Sequence, residues 1–176
     1  KNKFSMIEIN SETDFVAKNS EFINFAEEVS HLALDVSGKI EDILKSKMKN
    51  KKKVEENLID LVSKIGEKIT IRKSACLVND KLLNFSYTHA SIKKNIGKIG
   101  VLLSIETKKD KNDVMNLGKQ LTMQIASSSP LAIDQEGLDP NILKKEKEII
   151  TEELKNSGKD TKIIEKIALG KLNKFI

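Results

Sequence analysis

The chain has 176 residues, enough for one sizeable domain or two small lobes, and it can bury a core without disulfides or bound metal. Lysine and arginine number 31 against 26 acidic residues, a net charge of +5 in a chain that is 32% charged. That is a mildly basic surface and not the footprint of a dedicated nucleic-acid binder. The single cysteine, Cys76, excludes an internal disulfide framework and any multi-cysteine zinc site, and it points to a reducing compartment.

In chain order, SMIEIN (residues 5–10) alternates and predicts a short strand that ends at the polar cluster Asn10 to Asp14. A helix follows. With Asn19 or Ser20 as its N-cap, Phe22, Phe25, Ala26, Val29, Leu32, Ala33 and Val36 recur at steps of three and four until Gly38. KSKMKNKKK (45–53) reads as a lysine-rich connection, after which Val54, Leu58, Leu61, Val62 and Ile65 mark a second amphipathic helix stopped by Gly66. KITIRKSACLV (68–78) alternates, with Ile69, Ile71, Ala75 and Leu77 sharing the parity of one sheet face. KLLNFSYTH (81–89) is expected to pair with it across the turn residues Asn79 and Asp80, as a hairpin or meander.

Beyond the glycine-punctuated NIGKIG (95–100), Ile99, Val101, Leu103 and Ile105 mark a further strand, whose parity turns Ile99 inward. Val114, Leu117, Gly118, Leu121 and Ile125 mark the helix after it, which Pro130 ends. Pro140 suits the first turn of a helix that runs to Ser157-Gly158, and KDTKIIEKIALGKLNKF (159–175) resumes helical spacing, so an antiparallel helical hairpin is predicted. Strands and helices mixed without strict alternation predict an α+β fold rather than a doubly wound sheet.

No phosphate-binding glycine loop, nucleophile elbow or His-Glu-x-x-His motif occurs, and the two histidines, His31 and His89, sit in no recognisable acid–base constellation. An enzyme is therefore not expected, nor a cofactor or metal site. No apolar run approaches the roughly 20 residues that span a bilayer, and the start lacks a signal-peptide pattern, so a cytoplasmic location is expected. The chain opens on Lys1 in mid-phrase and closes on KLNKFI without an evident cap, and reads as trimmed at both ends. The lysines at 47, 49, 51, 52 and 53 could in principle grip a nucleic-acid backbone, but aromatic interleaving is missing and a solvated connection is the plainer reading. Phe15 has two readings. It precedes Phe22 by seven residues, so a helix starting at Thr13 would bury both; yet Thr13, Asp14 and Asn19 crowd a strand-to-helix junction of the kind that offers a side chain outward. Periodicity does not decide between them.

INSETDFVAKN (9–19) closely resembles the signature of the elongation factor Ts family, guanine-nucleotide exchange factors for elongation factor Tu. YTHASIKKNIGKIGVLL (87–103), LTMQIASSSP (121–130) and the stretch from LDPNILKKEKEI (138–149) to SGKDTKIIEKIALGKLNKF (157–175) resemble three further family segments in the same order. The resemblance implies a two-lobed α+β core of antiparallel sheets flanked by helices, with lobes at 1–96 and 97–138 and a helical-hairpin insertion at 139–176. The second lobe would be incomplete, because the family carries a helical module before the core and a closing strand and helix after the hairpin. It also implies that Asp14 and Phe15 press into the nucleotide domain of elongation factor Tu near its magnesium site, supported by Thr13, Val16, Ile99, Gly100, Met123 and Gln124. No membrane and no direct nucleic-acid contact are expected, and the hairpin's apolar face could pair with a second copy. Three departures stand out: Gln124 where histidine is usual, Ser11 where cysteine is common, and Lys171 for an arginine. Glutamine can donate and accept hydrogen bonds but carries no charge, and lysine lacks arginine's planar fork.

Overall fold

The computed structural model describes residues 3–79, 81–134, 136–155 and 167. Its elements are β1 (Phe4–Asn10), α1 (Asp14–Ala17), α2 (Ser20–Asp35), α3 (Ile40–Lys45), α4 (Val54–Ile65), β2 (Thr70–Leu77), β3 (Leu83–Lys93), β4 (Ile96–Ile105), α5 (Lys111–Ser128) and α6 (Pro140–Lys155). This is the α+β class. Two compact units divide between Ser128 and Ser129.

In the first unit α2 is the centre of the core. The Asn19 side chain accepts a hydrogen bond from the Glu21 amide at 2.8 Å and so starts the helix, and Phe22, Phe25, Val29 and Ala33 form its buried stripe. At the far end the Gly38 amide donates to the Ala33 carbonyl at 3.0 Å. Around that stripe gather Ile43 of α3, Met48 of the connection, Val54 and Leu61 of α4, Ile69 just before β2 and Ile71 within it, with Ile7 and Ile9 of β1 closing the cluster. Helix α3 falls just before the stretch read from sequence as connection, and overlaps it at Lys45. Its one fully buried anchor is Ile43.

The strand pairing corrects the expected hairpin. β2 lies antiparallel to β1, across the whole intervening helical stretch, while β3 pairs with β4 in a second ribbon. The physical reason is local closure: β3 and β4 are joined by Lys94 and Asn95 alone, with Asn95 at φ 64°, and so short a link costs the least chain entropy. β1 and β2 instead share a face against α2. Their register slips between Glu8 and Ile9, leaving Arg72 as the extra residue of a bulge. The single parity expected for Ile69, Ile71, Ala75 and Leu77 therefore breaks: Ile71 is buried, Ala75 is exposed, and Ser74 and Cys76 turn inward. Arg72 reaches Glu8 at 2.8 Å, and that hydrogen bond holds the Glu8 carboxyl below its usual range.

Cys76 is half-buried, and its Sγ–H donates to the Ala33 carbonyl at 3.2 Å. Burial pushes the thiol's pKa up, which keeps the nucleophilic thiolate scarce at neutral pH. Native protein should therefore label with a maleimide at least about tenfold more slowly than urea-unfolded protein. Equal rates would show the thiol to be freely presented.

Helix α5 packs on the β3–β4 ribbon through Val114, Gly118, Thr122 and Ala126, a line of four-residue steps. Leu117 and Leu121 flank that line, 51% and 37% exposed. Thr122, only 1% exposed, satisfies its hydroxyl on the Lys119 carbonyl at 2.8 Å. The inward parity expected for Ile99 is also corrected: it is 42% exposed, and burial on β4 begins in earnest at Val101.

In the second unit the Asp139 carboxylate caps α6 by accepting from the Asn141 amide at 2.8 Å, with Pro140 in the first turn as expected. Ile150 and Leu154 of α6 are buried, and Ile167, itself helical, packs against them. The rest of the stretch expected to form the hairpin's second helix, Lys171 included, lies outside the described residues.

Candidate partner-binding corner

The TDFV segment forms a corner between β1 and α2. Thr13 has extended backbone angles and caps α1, its hydroxyl accepting from the Val16 amide at 3.5 Å. One turn later the Lys18 and Asn19 amides donate to the carbonyls of Phe15 and Val16 at 3.2 and 2.9 Å, and Asn19 begins α2 afresh. That break separates the phases of the two helices. Phe22 is buried, whereas Phe15 is 88% exposed, so the core reading of Phe15 is overturned. Val16, its neighbour, is 5% exposed and joins the core cluster with Phe22 and Phe25. A single turn thus drives one apolar side chain inward and holds the next one out.

Two residues that the sequence did not single out hold this corner. Glu67 follows Gly66, the left-handed C-cap of α4 at φ 79°, and its carboxylate accepts from both the amide and the hydroxyl of Thr13. Lys98 of β4 reaches Asp14 at 3.3 Å. Both partners of that ion pair are well exposed, so it contributes at most about 1 kcal/mol. Asp14 also sits in the first turn of α1, where a negative charge complements the helix dipole.

The remaining candidate residues are placed as follows. Ile99 adjoins Lys98 and is exposed. Gly100 lies under the Met6 side chain of β1, where a Cβ would collide with the methionine sulfur. Met123 is 47% exposed and Gln124 is exposed, both on α5. Among the described residues no hydrogen bond or ion pair joins these last two to the α1 corner.

The two histidines lie outside this corner, on α2 and β3. His31 is exposed, and the Nδ1 of His89 lies 3.0 Å from the Tyr87 hydroxyl, which is also on β3. Among the described residues no three His, Cys, Asp or Glu side chains gather as a metal site, and no helix is long and apolar enough to cross a membrane. The lysine connection is an ordered turn, with Lys47 bridged to Lys53, Lys52 paired to Asp60 at 2.8 Å and Lys53 to Glu55 at 3.2 Å. What the corner offers chemically is an exposed apolar ring on a tethered turn, beside a carboxylate.

The family model described as Elongation factor TS matches residues 12–176, beginning one residue before this corner. The chain belongs to the elongation factor Ts family. It is similar to elongation factor Ts of Gluconobacter oxydans, 37% identical over 175 residues, which covers 99% of this chain and 58% of that protein. Elongation factor Ts of Nitrobacter hamburgensis is 38% identical over 174 residues, 99% of this chain and 56% of that protein. Elongation factor Ts of Rickettsia bellii is 37% identical over 171 residues, 97% and 55% respectively. The chain therefore spans a little more than half the length of these elongation factor Ts relatives. Their shared name is that of a factor in translation elongation.

Proposed function

We propose that this chain is a guanine-nucleotide exchange factor: it binds elongation factor Tu and promotes release of GDP by disturbing the magnesium and phosphate site of that GTPase. No bond is made or broken in such a reaction, and the factor needs no cofactor. The observation that carries the reading is Phe15, an apolar ring 88% exposed at the tip of an anchored turn. What supports the reading is the contrast within one turn, since the same tethered segment buries Val16 and holds the Phe15 ring out, where a partner can take it up as an aromatic anchor.

Magnesium demands near-octahedral geometry and bridges the nucleotide phosphates. A ring wedged among the elements that position its ligands would therefore weaken nucleotide binding. The coupling is reciprocal, so nucleotide also weakens the factor's grip, and both can leave. In this reading Asp14 and Phe15 make the intruding contact and Ile99, Met123 and Gln124 add surface. Thr13, Val16 and Gly100 act through the shape of the corner.

Nucleotide-free elongation factor Tu should be retained by the immobilised chain, and GDP should elute it. The same chain should accelerate release of a fluorescent GDP analogue from the GTPase. Absence of both binding and acceleration would overturn the proposal. Binding to RNA that collapses steeply with salt and survives Phe15→Ala would instead favour a basic nucleic-acid module. The ion pairing of Lys52 and Lys53 gives that reading little support.

A further inference from the structure

A four-residue helix cannot hold itself, because nucleating one turn fixes several residues for a single hydrogen bond. Its shape must come from tethers. In a capping box the third residue after the N-cap sends a carboxylate back to the N-cap amide. Here that third position is Val16, which is committed to the core and has no carboxylate. Glu67 takes over the missing half from 54 residues away: Oε2 accepts from the Thr13 amide at 3.1 Å, and Oε1 from the Thr13 hydroxyl at 2.8 Å. With its proton directed at Glu67, the hydroxyl keeps a lone pair for the Val16 amide.

The delivery of Glu67 is built in as well. Gly66 adopts φ +79°, and a Cβ placed there would meet nothing within 4 Å. Glycine is therefore required for its backbone angle and not for space, and that angle turns the chain at the end of α4 so that the next side chain reaches Thr13. A carboxylate that grips amide and hydroxyl together fixes both the place and the rotation of the N-cap. The direction of Phe15, two residues on, follows from that rotation.

We infer that Glu67 is a positioning residue for exchange: acting through Thr13, it sets the angle at which Asp14 and Phe15 meet the GTPase. The inference rests on the exchange function proposed above. Loss of one such cap is expected to cost about fivefold to tenfold in the population of the presented turn. Hydrogen–deuterium exchange on the isolated chain reads the tether without any partner. In Glu67→Ala, the amides of Thr13 and Val16 should exchange at least about fivefold faster, while those of α4 keep their rates.

Stimulated GDP release should slow by a similar factor in Glu67→Ala. Glu67→Gln should recover part of it, since one acceptor remains for Thr13. In a Phe15→Ala background, adding Glu67→Ala should slow release by much less than it does in the wild-type chain, with only the Asp14 contact left to lose, which a general loss of stability would not reproduce. Unchanged protection at Thr13, or effects of the two substitutions that simply multiply, would overturn the role of Glu67. If Phe15→Ala alone leaves release unaltered, the exchange mechanism fails and the positioning role falls with it. The amide rates then show only a structural tether.

Discussion

Replacing Phe15 with alanine should slow the stimulated release of GDP from elongation factor Tu by about one and a half to three orders of magnitude. That figure is the kinetic equivalent of the roughly 2–4 kcal/mol that a buried aromatic hot spot contributes to an interface. The fold should be indifferent to the change. Phe15 is 88% exposed, so truncation removes almost no buried surface, and the melting temperature should stay within the small range usual for surface substitutions. This combination is diagnostic, because a core phenylalanine would lose stability first and activity as a consequence. Stopped-flow release of a fluorescent GDP, measured beside a thermal melt, separates the two. An unaltered rate would remove Phe15 from the mechanism.

By the same arithmetic, the proposed mechanism requires more than Phe15. Moving a two-state balance from 1:99 to 99:1 needs about 5.5 kcal/mol of differential affinity. One ring supplies about half of that, so other contacts must also prefer the open GTPase. Ile99 next to Lys98, and Met123 on α5, are exposed apolar side chains available for that purpose. Gln124 is exposed too, and its amide can hydrogen-bond without charge.

Elements with strong local punctuation were legible in the sequence. α2 begins at the Asn19 cap and α4 stops at Gly66, both as the residue pattern predicts, because capping chemistry is written within a few positions of the helix end. α3 escaped for the converse reason. It has six residues, its N-cap is Lys39 without a side-chain cap bond, and too few turns to show a period. The strand partners were illegible because pairing β1 with β2 is a contact between distant parts of the chain. The Arg72 bulge that resets the parity leaves no mark in composition. At the corner, the seven-residue spacing pointed to burial of Phe15 beside Phe22, while the crowded junction of Thr13, Asp14 and Asn19, and more strongly the family resemblance, pointed to display. The restart of the helix at Asn19 decides it, since it gives the two rings different phases. Glu67 could not have been found by local pattern at all. Its partner Thr13 is 54 residues away, and the one clue is that it follows a helix-ending glycine.

Gly118→Ala should destabilise the first unit, although helix propensity taken alone predicts the opposite. Glycine inside a helix costs about 1 kcal/mol relative to alanine, so an open site would gain by the change. Position 118 is not open. It is buried in the middle of α5 against the ring of Phe85, and a Cβ there would lie 2.6 Å from one ring carbon and closer still to two others. Phe85 is itself 6% exposed on β3 and has little room to swing aside. Overpacking of this kind costs about 1–3 kcal/mol, which exceeds the propensity gain and leaves a net loss of up to about 2 kcal/mol. Urea titration checks the sign, and a stabilised variant would refute the packing argument. Phe85→Leu in the Gly118→Ala background should return part of the loss, because a shorter side chain vacates the space that the new methyl needs. The two changes must therefore be strongly non-additive. The pair also tests the outer face of α5. Met123 and Gln124 keep their place only while the helix lies close on the β3–β4 ribbon. Affinity for nucleotide-free elongation factor Tu should consequently fall with Gly118→Ala and recover with the second substitution, although neither position is exposed to a partner.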